Sequence, residues 1–227
     1  MPKRVSHSLL DPVLTLPLKG LYARLKIPAR FPPEGIVVVG HLCAIVGALS
    51  FAVSSHWWWG GLLAAAGVAM NHVADVLDGT HARATGQCRN GGELLDHFVD
   101  PLSFCYWVTG ISYSADCLLL GTGGVIVVYA MAVLTNIKAK MIGEFTLARF
   151  GPTEFKTLLI LFGLTMSGAV GGAWLLPAAA PQIAFWFLAA MFVAGVIQLM
   201  ISLWFAIHEV NAKGSTPDNT EWELKKK

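Results

Sequence analysis

Four aspartates fall into two closely spaced pairs, Asp75/Asp78 and Asp96/Asp100. Separations of three and four residues put the members of each pair on one face of a helix. If the two helices are joined by a short turn they run antiparallel, and the four carboxylates converge on one small volume. Left bare they repel one another. A divalent cation, or a pair of them, relieves that repulsion, and an all-oxygen donor set suits Mg²⁺ or Mn²⁺. Paired ions of this kind serve phosphoryl chemistry. The surrounding residues fit an anionic ligand. Gly79 follows the second acid and Gly92 lies one turn before the third, both leaving side-chain volume free for a close backbone approach. Arg83, one turn past Asp78, offers a planar fork to phosphate. Asn71, one turn before Asp75, can hydrogen-bond an acid or a nucleotide.

The elements that must hold these groups are those of a membrane protein. Of 227 residues, 55% are hydrophobic and only 13% charged, and the mean hydropathy is +0.61. Soluble domains carry roughly 25% charged residues, so this chain has too few to cover a water-facing globule. The net charge of +2 gives no electrostatic case for a nucleic-acid partner. The four cysteines show no CxxC spacing, which argues against a zinc or disulfide framework.

Measured against the roughly 20 residues that span a bilayer, the chain predicts an all-α integral membrane fold with six transmembrane helices. They cover 35–54, 58–78, 93–111, 118–136 (continuing as helix to Phe145), 157–176 and 183–207. All sixteen Lys and Arg fall in the N-terminal arm, the second-to-third connection, the fourth-to-fifth connection and the tail. The positive-inside rule then places both termini in the cytoplasm. Residues 1–34 form a cytoplasmic arm in which an interfacial amphipathic helix is expected between Ser8 and Leu25. Residues 35–210 form the catalytic membrane domain, and 211–227 a flexible cytoplasmic tail. The acids therefore sit at the cytoplasmic interface, where ionisable groups inside a span are costly and their default reading is functional.

The pattern D-x2-D-G-x2-A-R-x8-G-x3-D-x3-D, running from Asp75 to Asp100, resembles the signature of the CDP-alcohol phosphotransferases at every fixed position. The resemblance implies that Asp75, Asp78, Asp96 and Asp100 hold two divalent metals. It also implies that Gly79, Ala82, Arg83 and Gly92 line the cytidine-diphosphate pocket. An alcohol hydroxyl then attacks the β-phosphorus of a CDP-linked donor and CMP leaves. Family members are commonly homodimers, with membrane lipids among their partners.

Within the family, Gly92-Glu-Leu-Leu-Asp-His97-Phe-Val-Asp100 and Gly151-Pro-Thr-Glu154 resemble stretches of the choline/ethanolamine phosphotransferases. That favours CDP-choline or CDP-ethanolamine as donor and a diacylglycerol-like lipid as acceptor. Pro101 stands where branches with phosphorylated acceptors usually carry Lys or Arg. By this likeness His97 is the expected general base, oriented by Glu154, with Asp100 as its rival. The alternative is a CDP-diacylglycerol enzyme with an unphosphorylated polar alcohol. In the first span the family's Pro-Asn-x-Ile-Thr run is replaced by Pro33-Glu34-Gly35-Ile36-Val37, so the nucleotide contacts of that stretch do not carry over. A cation-coupled transporter is the alternative from a different class. It would place acids near the midplane and show inverted halves, neither of which is visible here.

Overall fold

The computed structural model describes residues 3–147, 150–172, 179–216 and Glu221. Among them lie β1 (Lys3–Ser6), α1 (Asp11–Leu25), α2 (Pro33–Ala52), α3 (Trp58–Thr85) and α4 (Asn90–Ser114). After these come α5 (Leu118–Ile142), β2 (Glu144–Leu147), α6 (Pro152–Val170) and α7 (Ala180–Lys213). The boundaries follow local chemistry. Prolines open α2 and α6, where a missing N–H costs nothing. Gly86 and Gly143 close α3 and α5 in the left-handed region, at φ of 69° and 70°. The short connection brings the first turns of α4 close to the last turns of α3, but the two helices do not pack along their length: α2 lies against both.

Helix α3 is the centre of the bundle, with α2 on one flank and α6 on the other. Both contacts depend on missing side chains. A Cβ at Gly67 would stand 2.7 Å from the Cα of Gly47 on α2, and one at Gly61 would collide with the carbonyl oxygen of Gly163 on α6. Lipid offers no hydrophobic drive for helices to associate, so close van der Waals packing of this kind has to do it. Phe51, Val68, Trp107, Ile111, Phe162 and Met166 fill the core. The Trp107 indole N–H donates to the carbonyl of Ala44 across 3.0 Å, joining α4 to α2.

The outer faces are apolar. Leu119 is 85% exposed and Trp186 69%, with Leu49, Ile126, Met200 and Phe205 similarly placed. Among the described residues five helices, α2, α3, α5, α6 and α7, are long and apolar enough to cross a membrane. With such faces turned outward, this is a multi-pass membrane protein. The expected six spans are thus met by composition in five. Helix α4 has the length, at 25 residues, but Glu93, Asp96 and Asp100 make its first turns polar. It packs between α2 and α5 all the same.

Several boundaries differ from expectation: α3 runs on to Thr85, and α7 runs on to Lys213, past the start of the expected tail. Helix α5 stops at Ile142 instead of reaching Phe145, because Gly143 turns the chain and residues 144–147 pair in parallel with Lys3–Ser6. The helix read from Thr157 begins at Pro152 and ends at Val170. Most of the expected flexible tail, and Arg149, lie outside the described residues.

The N-terminal arm does form a helix, α1, with no fully buried residue. It is tied down at both ends. At its start Thr153 donates to Asp11 at 2.6 Å. At its end the Tyr22 hydroxyl meets His81 at 2.9 Å, while Tyr22 and Ile27 pack on Ile36, Ala74 and Leu77.

Candidate active site

The site is built where the C-terminal turns of α3 meet the N-terminal turns of α4. Carboxylate oxygens of Asp75, Asp78 and Asp96 all lie within 4.8 Å of one another. Asp100 stands one turn along α4 from Asp96, and all four acids border a hole of about 10 Å³. Asn71 also borders it. Its amide nitrogen donates to the carbonyl of Gly40 at 3.1 Å, while its Oδ1 is buried without a partner. Four carboxylates and an orphaned amide oxygen around one hole form an oxygen donor set for a hard cation, so the residues present fit a divalent metal.

Asp78 is buried, and the backbone N–H of Gly79 bonds one of its oxygens. Gly79 leaves room for Arg83, whose Nη1 lies 3.2 Å from where a Cβ would stand. The guanidinium therefore folds back over the helix toward the acids and lines the main cavity beside Asp78 and Asp96. Gly92 approaches the side chain of Glu34, which is bridged to Arg89 at 2.9 Å. Ala82 continues α3 toward its Gly86 cap, which bonds back to the Ala82 carbonyl.

Sequence reasoning missed Lys156. It was counted among the cations of a cytoplasmic connection, but it belongs to α6 and is only 1% exposed. Its ammonium lies 2.6 Å from Asp75 Oδ2 and 3.5 Å from Asp100 Oδ1. A signal was available: Thr153, Lys156, Leu159, Phe162 and Met166 recur at helical spacing, and all are buried. Lys156 therefore lies on the inward stripe of α6.

His97 lines the main cavity. Its Nε2 is 3.9 Å from Glu93, and its ring meets Phe145 edge-on at 4.8 Å between centroids. Pro101, inside α4, withholds the N–H that would have bonded the His97 carbonyl. Glu154 is bonded to the N-terminal arm and to the N-cap of its own helix. Its Oε1 accepts from the Ser8 hydroxyl at 2.6 Å and from the backbone N–H groups of Leu9 and Leu10. Its Oε2 accepts from the N–H of Gly151. Oε1 thus fastens the N-terminal arm to the start of α6, while Oε2 closes the first turn of α6 on its own N-cap.

The main cavity holds about 980 Å³ and has two chemical halves. At one end are the acids, Arg83 and His97, roofed by Asp11, Thr15 and Lys19 of α1. Toward the other end Phe104, Val108, Val128, Leu188 and Phe192 form an apolar cleft between α4, α5 and α7. A polar mouth continuous with a greasy cleft can hold a phosphate-bearing group and a lipid chain together.

The comparisons with known proteins agree with this chemistry. No curated protein is significantly similar to the chain in sequence. Among solved structures, the fold is similar to a crystal structure of Mycobacterium tuberculosis phosphatidylinositol phosphate synthase with CDP-DAG bound. The TM-score is 0.56 at 18% identity, over 85% of this chain and 94% of that one. The sequence profile of the CDP-alcohol phosphatidyltransferases matches residues 32–204, from the start of α2 into α7, and takes in the whole aspartate motif. The protein therefore belongs to the CDP-alcohol phosphatidyltransferase family and is a membrane transferase for substituted phosphate groups.

Proposed function

We propose that the protein makes a phospholipid by transferring a substituted phosphate from a CDP-linked donor to the hydroxyl of an unphosphorylated alcohol, releasing CMP. The observation that carries this is the cluster of Asp75, Asp78 and Asp96 oxygens within 4.8 Å, at the mouth of a cavity whose far half is apolar. Asp75, Asp78, Asp96 and Asp100, with Asn71 behind them, would hold Mg²⁺ or Mn²⁺, and the family resemblance implies two ions. Bound there, divalent ions neutralise the charge that develops on the phosphoryl oxygens.

The rest falls to the chain. Arg83 binds a phosphate oxygen of the donor, and Gly79 and Gly92 let the nucleotide approach the backbone. His97 takes the proton of the attacking hydroxyl; an imidazole titrates near neutral pH, as a base requires. Asp100 is the rival base, although its pairing with Lys156 engages one of its oxygens. Helix α1 roofs the polar half and limits its access to water.

Two versions of the reaction differ in which substrate carries the diacylglycerol. The Gly92–Asp100 and Gly151–Glu154 runs favour CDP-choline or CDP-ethanolamine with diacylglycerol as acceptor. The neighbour with CDP-DAG bound favours CDP-diacylglycerol with an unphosphorylated polar alcohol at least as well. In either version α4 counts as a sixth span, which puts both termini on the side of the acids. Lys19, Arg24, Arg89, Lys138 and Lys213 cluster at that end, which supports a cytoplasm-facing site and an interfacial α1. The catalytic domain is then α2–α7, and a homodimer is the family expectation.

The test is purified protein in liposomes with Mg²⁺ or Mn²⁺ and each radiolabelled donor, followed by CMP release across a panel of alcohols. Phospholipid from CDP-choline or CDP-ethanolamine with diacylglycerol supports the first version, and phospholipid from CDP-diacylglycerol the second. Release from none of them would sink the proposal.

A further inference from the structure

Two buried histidines of α3 sit in opposite situations. His81 has both ring nitrogens matched. Nε2 faces the Phe31 carbonyl at 2.8 Å and must carry the proton, which leaves Nδ1 to accept from the Tyr22 hydroxyl at 2.9 Å. His72 is 8% exposed, and neither of its ring nitrogens has a partner. Unpartnered buried polar atoms are rare in folded proteins because they forgo hydration for nothing. His72 lines the main cavity, so an occupant of that cavity can supply what the protein does not.

Its position narrows the occupant. His72 is one turn before Asp75, on the side of the acids away from Arg83. On the antiparallel α4 the same direction leads from Asp100 to Phe104 and Val108. His72 therefore marks the level at which the carboxylate end of the cavity gives way to the apolar cleft. Asp11 and Asp75 line the same stretch and the Lys156 ammonium is bound to Asp75, so acids and cation offset one another there and a neutral oxygen acceptor suits an imidazole N–H.

We propose that His72 donates a hydrogen bond to an acyl-ester carbonyl of the glycerolipid substrate. This deepens the reaction proposed above and rests on it. In free diacylglycerol the ester carbonyls follow the attacking oxygen by a few bonds, and in CDP-diacylglycerol they follow the attacked phosphorus by a few bonds. That distance is comparable with the helix rise of about 4.5 Å between Asp75 and His72. The shared chemistry is the ester, whichever substrate brings it.

The test measures binding of radiolabelled lipids to the full-length protein in detergent, using two pairs: CDP-diacylglycerol against its diether analogue, and diacylglycerol against dialkylglycerol. An ether lacks the carbonyl and changes little else. In the wild type the ester should bind about tenfold more tightly, equivalent to about 1.4 kcal/mol. Preference in the first pair assigns the contact to the donor, and in the second to the acceptor. His72→Leu should bring the ratio near one, and His72→Gln, which keeps an N–H donor, should retain part of it. A merely structural role would weaken ester and ether alike and leave the ratio unchanged. A wild-type ratio near one in both pairs overturns the proposal even if His72→Leu fails to fold, and so does an unchanged ratio in His72→Leu. Absence of CMP release would instead count against the reaction, and the binding ratio is read independently of it.

Discussion

The ammonium of Lys156 donates to Asp75 Oδ2 across 2.6 Å, binding α6 to α3 directly behind the carboxylate cluster. The same ammonium reaches Asp100 on α4 and lies 5.7 Å from the centroid of the Phe104 ring. One buried cation thus ties together three helices and the acids from two of them. It fixes the side chains that border the metal hole, and it offsets part of their charge when the hole is empty.

Removing it has a predictable sign. Breaking a buried ion pair by deleting one partner leaves an uncompensated charge, at a cost of about 3–5 kcal/mol. Lys156→Met should therefore melt well below the wild type in chelator. It should also gain more from added Mn²⁺, because the ion then faces a more negative site. Melting temperatures in detergent with chelator and with Mn²⁺ provide the check. A smaller Mn²⁺ shift in the variant than in the wild type would contradict this role.

Asp78 and Asp96 contribute, with Asp75, to the tightest group of carboxylate oxygens. Outer-shell partners of metal ligands are worth 10–100-fold in affinity or activity, so Asp78→Asn and Asp96→Asn should each lose more than about a hundredfold in both. Calorimetric Mn²⁺ titration of each variant separates lost ligation from unfolding. Full-strength binding in either would remove that residue from the donor set.

Glu154 bonds the N-terminal arm in this structure. Glu154→Ala deletes acceptors for Ser8, Leu9, Leu10 and Gly151, which should release the arm. Limited trypsin digestion should then cut faster at Lys19, Arg24, Lys26 or Arg30. Unchanged digestion together with an altered pH profile of kcat would return Glu154 to the task of orienting His97.

The proposed base is testable against its rival. His97→Ala should lower kcat by about 10²–10⁴-fold and abolish the fall in activity at acidic pH that comes from protonating the imidazole. If His97→Ala keeps that acidic limb and near-wild-type turnover while Asp100→Asn does not, Asp100 is the base.

Much of this was legible in the sequence because its causes are local. Asp75, Asp78, Asp96 and Asp100 declare their faces through helical spacing, and the short link around Gly86 brings the carboxylates of the two helices together. Other features depend on partners far away in the chain. The parallel pairing of Lys3–Ser6 with Glu144–Leu147 leaves no mark in either segment alone. The Ser8–Glu154 bond joins residues 146 apart in the chain, so nothing around Glu154 in the sequence announces it. Lys156 was read by its charge as facing water, although its place on the buried stripe of α6 said otherwise. Nothing in the sequence separates His72 from His81; among the described residues the structure partners the second and not the first.

The most direct measurement is metal-dependent CMP release by the purified protein in liposomes, with Asp78→Asn alongside. The carboxylate cluster predicts that wild-type protein with Mg²⁺ or Mn²⁺ releases CMP from a CDP-linked lipid precursor and forms phospholipid in equal amount, while chelator or Asp78→Asn stops both. CMP release that persists in chelator, or that is unaffected by Asp78→Asn, would contradict the central role given to these four aspartates.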